Sequence, residues 1–412
     1  MKFLRTASTG RLLALLAGLV IAVAGGTAIA VAATGSGPVP KAKPLSQALH
    51  GALTAHPVDG ISADIQFTNN LISSTNFAGG PRDPILQGAT GRLWISRDQG
   101  LRLELQSSNG DSQIVVNQSR FWVSDPSSQT VYEGTLPADS GKTPAKQKAS
   151  GSGVPTVAQI QTELDHLLGR VNVAGVNTSN PSDVAGQPAY SVTVSPKHDG
   201  GLLGSAQIAW DAVTGTPLNF AIYARGNSTP VLQLKVTNIS FGPVAASTFA
   251  LAPPAGYKVV KVSAPASHSA GPAAAGRKAR KAKHTHVSGV TAVAHAVPFH
   301  LAAPATLVGL PRQDTRLLDW GGHPAALVTY GQNLGGLAII EQKADGTTSA
   351  AAKGSGTSGL SLPSVSINGA TGTELSTALG TVLRYTSGGV AYTVLGSVQP
   401  FVAEQAAKAL TP

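Results

Sequence analysis

Leu101-Arg102-Leu103-Glu104-Leu105 alternates leucine with charge, the signature of a strand with one face buried and the other wet. Strand-like runs recur at 61–68, 89–96, 100–107, 112–117, 120–124 and 129–133. Asn109-Gly110, Asn117-Gln118 and Asp125-Pro126 supply turns between them, so the spacing predicts an antiparallel meander. Two stretches change period. A short helix is predicted at 45–56, and a longer one at 155–169, where Ile160, Leu164, Leu167 and Leu168 fall on one face. Strands resume at 171–177, 189–195, 205–211, 217–225 and 230–240, and the domain closes near Phe249–Pro254. A second, smaller set of strands lies near 315–320, 325–330, 336–341, 362–367, 380–386 and 389–396, before a terminal helix at about 398–410.

The first 33 residues obey a different rule. Lys2, Arg5 and Arg11 precede 22 uncharged, mostly apolar residues from Leu12 to Ala33. Positive flanks stay in the cytoplasm, so the rest of the chain is expected outside the inner membrane. The length suits a bilayer span, and residues 12–33 are the expected contact with that membrane. Ala28-Ile29-Ala30 and Ala30-Val31-Ala32 also fit a small-x-small cleavage site. Both outcomes stay open: a membrane anchor, or a signal that is removed to leave a secreted or periplasmic protein. Residues 34–44 read as a Gly/Pro spacer.

Composition narrows the chemistry. The chain of 412 residues has no cysteine, which excludes disulfides, a lipid-modified cysteine and thiolate metal sites. The net charge of +10 suggests nucleic acid, but seven of its basic residues lie between Lys258 and Lys283 with no acidic residue among them. The excess therefore belongs mainly to a segment read as a basic disordered linker, 258–296. It reads first as a solvated charged linker that resists collapse; the alternative targets outside the cytoplasm are anionic head groups or acidic polymers, and no nucleic-acid partner is expected. The domain plan is thus 1–33, 34–44, 45–257, 258–296 and 297–412. Residues 137–154 and 343–359 read as flexible loops.

Catalytic and cofactor motifs do not assemble. Gly141-Lys142-Thr143 lacks the earlier glycine of a phosphate loop, because position 136 is Leu. Gly354–Gly359 matches G-x-G-x-x-G literally but sits in a low-complexity loop ahead of a strand pattern. His284 and His286, with His295 and His300 beyond, have no nearby carboxylates. No catalytic residue, cofactor or metal is expected, and the chain is read as a non-enzyme.

One resemblance stands out, carried by GRLWIS…GLRLELQSSNGDSQIVVNQSRFWVSDPSSQTVYEG, by Gln113–Asn117, Arg120–Pro126 and Gln129–Glu133, and by the Phe-x-Leu-x-Pro-Pro-x-Gly ending at Phe249–Gly256. Over about 45–257 the chain resembles the fold shared by the outer-membrane lipoprotein carrier LolA and the N-terminal domain of the sigma-factor regulator RseB (MucB). The second domain, with Val382–Tyr385, Gly388–Leu395 and Gly396-Ser397-Val398, resembles a C-terminal module of anchored, mostly Gram-positive relatives. The resemblance implies an α+β, mostly β fold: a curved antiparallel half-barrel sheet covered by helices, plus a smaller α+β domain. It also implies an apolar cavity between sheet and helices that takes lipid or lipoprotein acyl chains. Leu93, Ile95, Leu101, Leu103, Leu105, Ile114, Val116, Phe121 and Val123 are the candidate lining, and they equally suit a plain core. Trp94 and Trp122 fall in the opposite register, to pack under a loop or to mark a contact surface. The alternative role is an RseB-like regulatory module that binds an anti-sigma factor or another envelope protein.

Overall fold

A computed structural model describes residues 39–72, 84, 88–106, 110–136, 155–174, 180–262, 287–320, 323–344 and 362–411. The first domain opens with helix α1 (Leu45–Thr54) and the meander β1 (Gly60–Asn69), β2 (Ala89–Ser96), β3 (Gly100–Leu105), β4 (Ser112–Asn117), β5 (Arg120–Asp125) and β6 (Thr130–Thr135). Helix α2 (Val157–Leu168) interrupts the strands. Then come β7 (Val171–Ala174), β8 (Asn180–Val184), β9 (Gln187–Pro196), β10 (Leu203–Asp211), β11 (Pro217–Ala224), β12 (Pro230–Phe241) and β13 (Lys258–Val262). All join one sheet, ordered β13-β6-β5-β4-β3-β2-β1-β12-β11-β10-β9-β7, with β8 also on β9. Every pairing is antiparallel except β13 on β6. The mostly-β, curved-sheet, helix-covered architecture implied by the resemblance is the one observed.

The helices form for local reasons. Thr156 caps α2: its hydroxyl accepts the Gln159 N–H, and the Gln159 side chain accepts the Thr156 N–H at 2.9 Å. Ile160 and Leu164 turn inward with Leu45 and Ala48 of α1, onto Tyr190 and Val192 of β9 and Trp210 of β10. Leu167, expected on the same face, is 41% exposed, so only the first two turns are held by packing. The end of the spacer is tied down here too. Tyr190 donates its hydroxyl to the Lys41 carbonyl at 2.7 Å, and Lys43 lies over the Tyr190 ring.

The expected linker, 258–296, contains structure at both ends. Lys258–Val262 pair as β13, because an edge strand accepts lysines that a central strand would not. At the other end Val290–Ala296 form helix α3, with Val293 fully buried in the second domain. Residues 263–286, the loop 137–154 and most of the insert 343–359 lie outside the described residues, as do the export segment and the first spacer residues. Among the described residues no helix is long and apolar enough to cross a membrane.

Among the described residues the second domain has eight strands: β14 (Thr306–Leu307), β15 (Leu310–Trp320), β16 (His323–Tyr330), β17 (Leu337–Lys343), β18 (Ser364–Ile367), β19 (Ala370–Thr377), β20 (Gly380–Ser387) and β21 (Val390–Gly396). Their order is β14-β15-β16-β17-β21-β20-β19-β18. Helix α4 (Pro400–Leu410) lays Ala403, Ala406, Ala407 and Leu410 on this sheet, and α3 adds Val293. Alanines let the helix come close, and the Tyr385 hydroxyl reaches the Ala407 carbonyl at 2.9 Å.

This domain is seated on one end of the large sheet, by backbone. The Leu202 N–H donates to the Ser397 carbonyl at 3.0 Å, and the Ala378 N–H to the Leu71 carbonyl at 2.8 Å. A Cβ built at Gly335 would stand 1.8 Å from an Asp199 carboxylate oxygen. That carboxylate is held by Arg225 at 3.4 Å and by the Gly201 N–H at 2.9 Å. That side chain can swing aside, but a Cβ at Gly201 would stand 2.3 Å from the Ser397 carbonyl oxygen, so Gly201→Val is expected to unseat the domain and raise the radius of gyration in small-angle scattering. Gly226→Val meets no atom within 4 Å and should strain only its own turn.

Candidate functional site

Register places the nine predicted lining residues on one face. Phe241, Ile61, Ile95, Leu101, Val116 and Phe121 stand opposite one another across β12, β1, β2, β3, β4 and β5. The next row is Ile239, Ala63, Leu93, Leu103, Ile114, Val123 and Tyr132, reaching β6. A third row runs Val236, Ile65, Gly91, Leu105 and Ser112. At strand spacing the second row spans roughly 29 Å, and Ile61 to Phe67 along β1 covers roughly 20 Å. Leu93, Leu101, Leu103, Leu105, Ile114, Val116 and Val123 are buried, while Ile95 and Phe121 are half-buried at the rim.

These side chains form one apolar cluster, joined by Val58, Leu136 and the Val184-Ala185 turn. None of the described members comes from a helix: α1 and α2 sit in a separate cluster over β9 and β10. The apolar face thus spans strands β12 and β1–β6, with the described helices to one side of it over β9 and β10.

The opposite face holds the tryptophans, and they differ. Trp122 is 8% exposed and packs with Val115, Val131 and Tyr257. Its indole N–H donates to the Leu251 carbonyl at 3.1 Å, and the Asn117 amide donates to the Phe249 carbonyl. The segment Phe249–Tyr257 is thus strapped across the back of the sheet to deliver β13 to β6; of its two readings, Trp122 takes the one beneath a loop. Trp94 stays half-exposed with the Arg102 guanidinium 4.7 Å from its ring centre, and Arg102 pairs with Glu104 at 2.6 Å.

Two polar positions escaped the sequence reading. Ser112 lies on the apolar face, 2% exposed, and its hydroxyl has no hydrogen-bond partner. Nothing in a serine between polar neighbours singles it out. Glu341 is fully buried in the second domain, opposite Ala326 and Tyr392. Burial pushes its carboxyl up to about 8, opposed by the Ala302 N–H that it accepts at 2.9 Å. Among the described residues no group of three His, Asp or Glu side chains gathers to hold a metal.

Sheet order and the helices packed over β9 and β10 define a mostly β fold built on one large, almost wholly antiparallel sheet. The chain is similar to MucB crystallised in complex with MucA(peri), at 16% identity and a TM-score of 0.38, covering 88% of this chain and 94% of that one. It is similar to an uncharacterized conserved protein from Thermus thermophilus at 10% identity and a TM-score of 0.29, covering 50% and 91%. A LolA superfamily protein from Nitrosomonas europaea is similar at 9% identity and a TM-score of 0.20, covering 50% and 98%. No protein-family model and no curated protein matches. These identities are low, and what the site does is read from its own geometry.

Proposed function

We propose that the chain is an extracytoplasmic protein that binds acyl chains, of lipid or lipoprotein, in a trough on the apolar face of its first domain. The observation that supports this most is the apolar cluster that spans seven strands of the sheet, to which no described helix contributes a side chain. Each methylene moved from water onto such a face contributes about 0.8 kcal/mol, so a single tail supplies most of the binding free energy without polar contacts. The basic segment beyond β13 and the apolar residues 12–33 fit work beside a membrane.

Purification from the protein's own host, followed by native mass spectrometry and lipid extraction, tests the proposal. One acyl lipid per chain is the expected result. Protein that arrives free of lipid, and takes none up from vesicles, would sink it.

A second reading, an envelope regulatory module, is favoured by the seat of the second domain on the end of the sheet at Leu202–Ser397. A simple carrier needs no such attachment. Crosslinking in the intact envelope separates the two: a single stoichiometric protein partner supports regulation, and a spread of lipidated species supports carriage.

A further inference from the structure

We infer that Ser112 is the polar docking point of the trough, the group that hydrogen-bonds the carbonyl of an ester- or amide-linked acyl chain. This rests on the proposed acyl-binding trough and adds to it what the apolar rows lack, a means of fixing the ligand's position along the groove.

Three observations support it. The first is the hydroxyl itself. Ser112 is 2% exposed and its hydroxyl makes no hydrogen bond. A buried hydroxyl left unpaired costs about 1–3 kcal/mol, so folded proteins rarely keep one without a use. Alternation along β4 puts it on the face of Ile114 and Val116, directly opposite Leu105 of β3.

The second is room. In the same row, beyond Leu105, stands Gly91, where a Cβ would come 1.9 Å from the Glu104 carbonyl oxygen. No side chain fits there. The row therefore carries its smallest groups, Gly91 and Ser112, on either side of Leu105, whereas the neighbouring row carries Leu93, Leu103, Ile114 and Val123.

The third is the absence of a rival at this corner among the described residues. Asp125, two positions beyond Val123 on the same face of β5, is 3% exposed, but its oxygens are already taken. Ser127 donates its N–H and hydroxyl to one, and Ser128 its hydroxyl to the other. Ser112 is left as a donor facing apolar surroundings. A neutral carbonyl is the ligand group that fits, because an ionised head group would be desolvated here with no countercharge. The tail then runs along β4 over Ile114 and Val116, towards the half-buried rim at Phe121 and Ile95.

The test compares methyl palmitate with hexadecane on the full chain, each competing against the same fluorescent alkyl probe. In the wild-type protein the ester is expected to bind more tightly than the alkane. Ser112→Ala should weaken the ester about fivefold, the equivalent of one net hydrogen bond, and leave the alkane unchanged. Ser112→Thr, which keeps the hydroxyl, should restore the preference. Ser112→Ala removes an unpaired polar atom, so its thermal midpoint should equal or exceed the wild type's, and a fall would show that the hydroxyl is a structural contact instead. Equal losses for ester and alkane, or no loss for either while both bind, would overturn the assignment. If neither probe binds the wild-type chain, the acyl-binding trough itself is wrong.

Discussion

Replacing Glu341 with glutamine is expected to stabilise the second domain by several kcal/mol above pH 8 and to change little below pH 4. Glu341 is fully buried, one of its oxygens has no partner, and no ion pair reaches it among the described residues. Burial raises its carboxyl from 4.5 to about 8. A folded-state value above the unfolded one means that the folded domain holds its proton more tightly. That stability is fully present below pH 4.5 and is lost progressively as pH rises through about 8. At 1.36 kcal/mol per pH unit the ceiling is on the order of 5 kcal/mol. Tyr330, Tyr385 and Tyr392 are raised as well, chiefly by burial and in part by the Glu341 charge, and only the Ala302 N–H offsets part of the penalty on Glu341. A glutamine amide oxygen in place of the carboxylate would still accept the Ala302 N–H that anchors the 297–305 loop. Calorimetry at pH 4, 7 and 9 checks this: the wild-type transition of the second domain should fall with pH and the variant's should stay level. Parallel pH profiles for the two proteins would refute it.

The second large effect belongs to the trough floor. Leu103→Ala should cost about 2–5 kcal/mol, the usual range for a buried leucine whose neighbours cannot close the gap. Leu103 is 1% exposed and sits mid-row between Leu93 on β2 and Ile114 on β4, both fixed by strand ladders that resist collapse. Leu167→Ala, on the exposed side of α2, should cost under about 0.5 kcal/mol. Urea unfolding followed by tryptophan fluorescence reports both. If the floor is a ligand surface, saturating an acyl ligand should return part of the Leu103→Ala loss, because an apolar guest fills an apolar gap.

How legible these features were depends on how each residue signals itself. The floor was readable because β3 alternates strictly and sets the register of its neighbours, and all nine residues named as lining share one face. Ala370–Thr377 was missed as a strand: its Thr, Gly and Ser residues carry little apolar contrast, and it is held by pairing with β18 and β20. Lys258–Val262 was read as linker because charge at 258 and 261 resembles the basic run beyond it, yet at a sheet edge those lysines simply face water. Trp122 has the register of a surface residue. Only the strap from Phe249 to Tyr257, which no local pattern announces, covers it. Glu341 and Ser112 matter through their surroundings, which three-dimensional packing alone creates.

The place of β1 in the sheet has a consequence for how the chain reaches its native state. β1 lies at the centre, between β2 and β12, and its partners on β12 are far away in sequence: Ser62 stands opposite Ser240, 178 residues on. The six-stranded meander can zip up from local contacts, but it does so with the outer edge of β1 bare. At roughly 5–20 residues per second, β12 is made about 10 to 35 s after β1. Throughout that interval Ile61, Ile65 and Phe67 border an open edge, the kind of template that recruits other chains. High contact order thus makes the last step of assembly the closure of the sheet by β12, and the nascent chain needs shelter until Phe241 has been delivered.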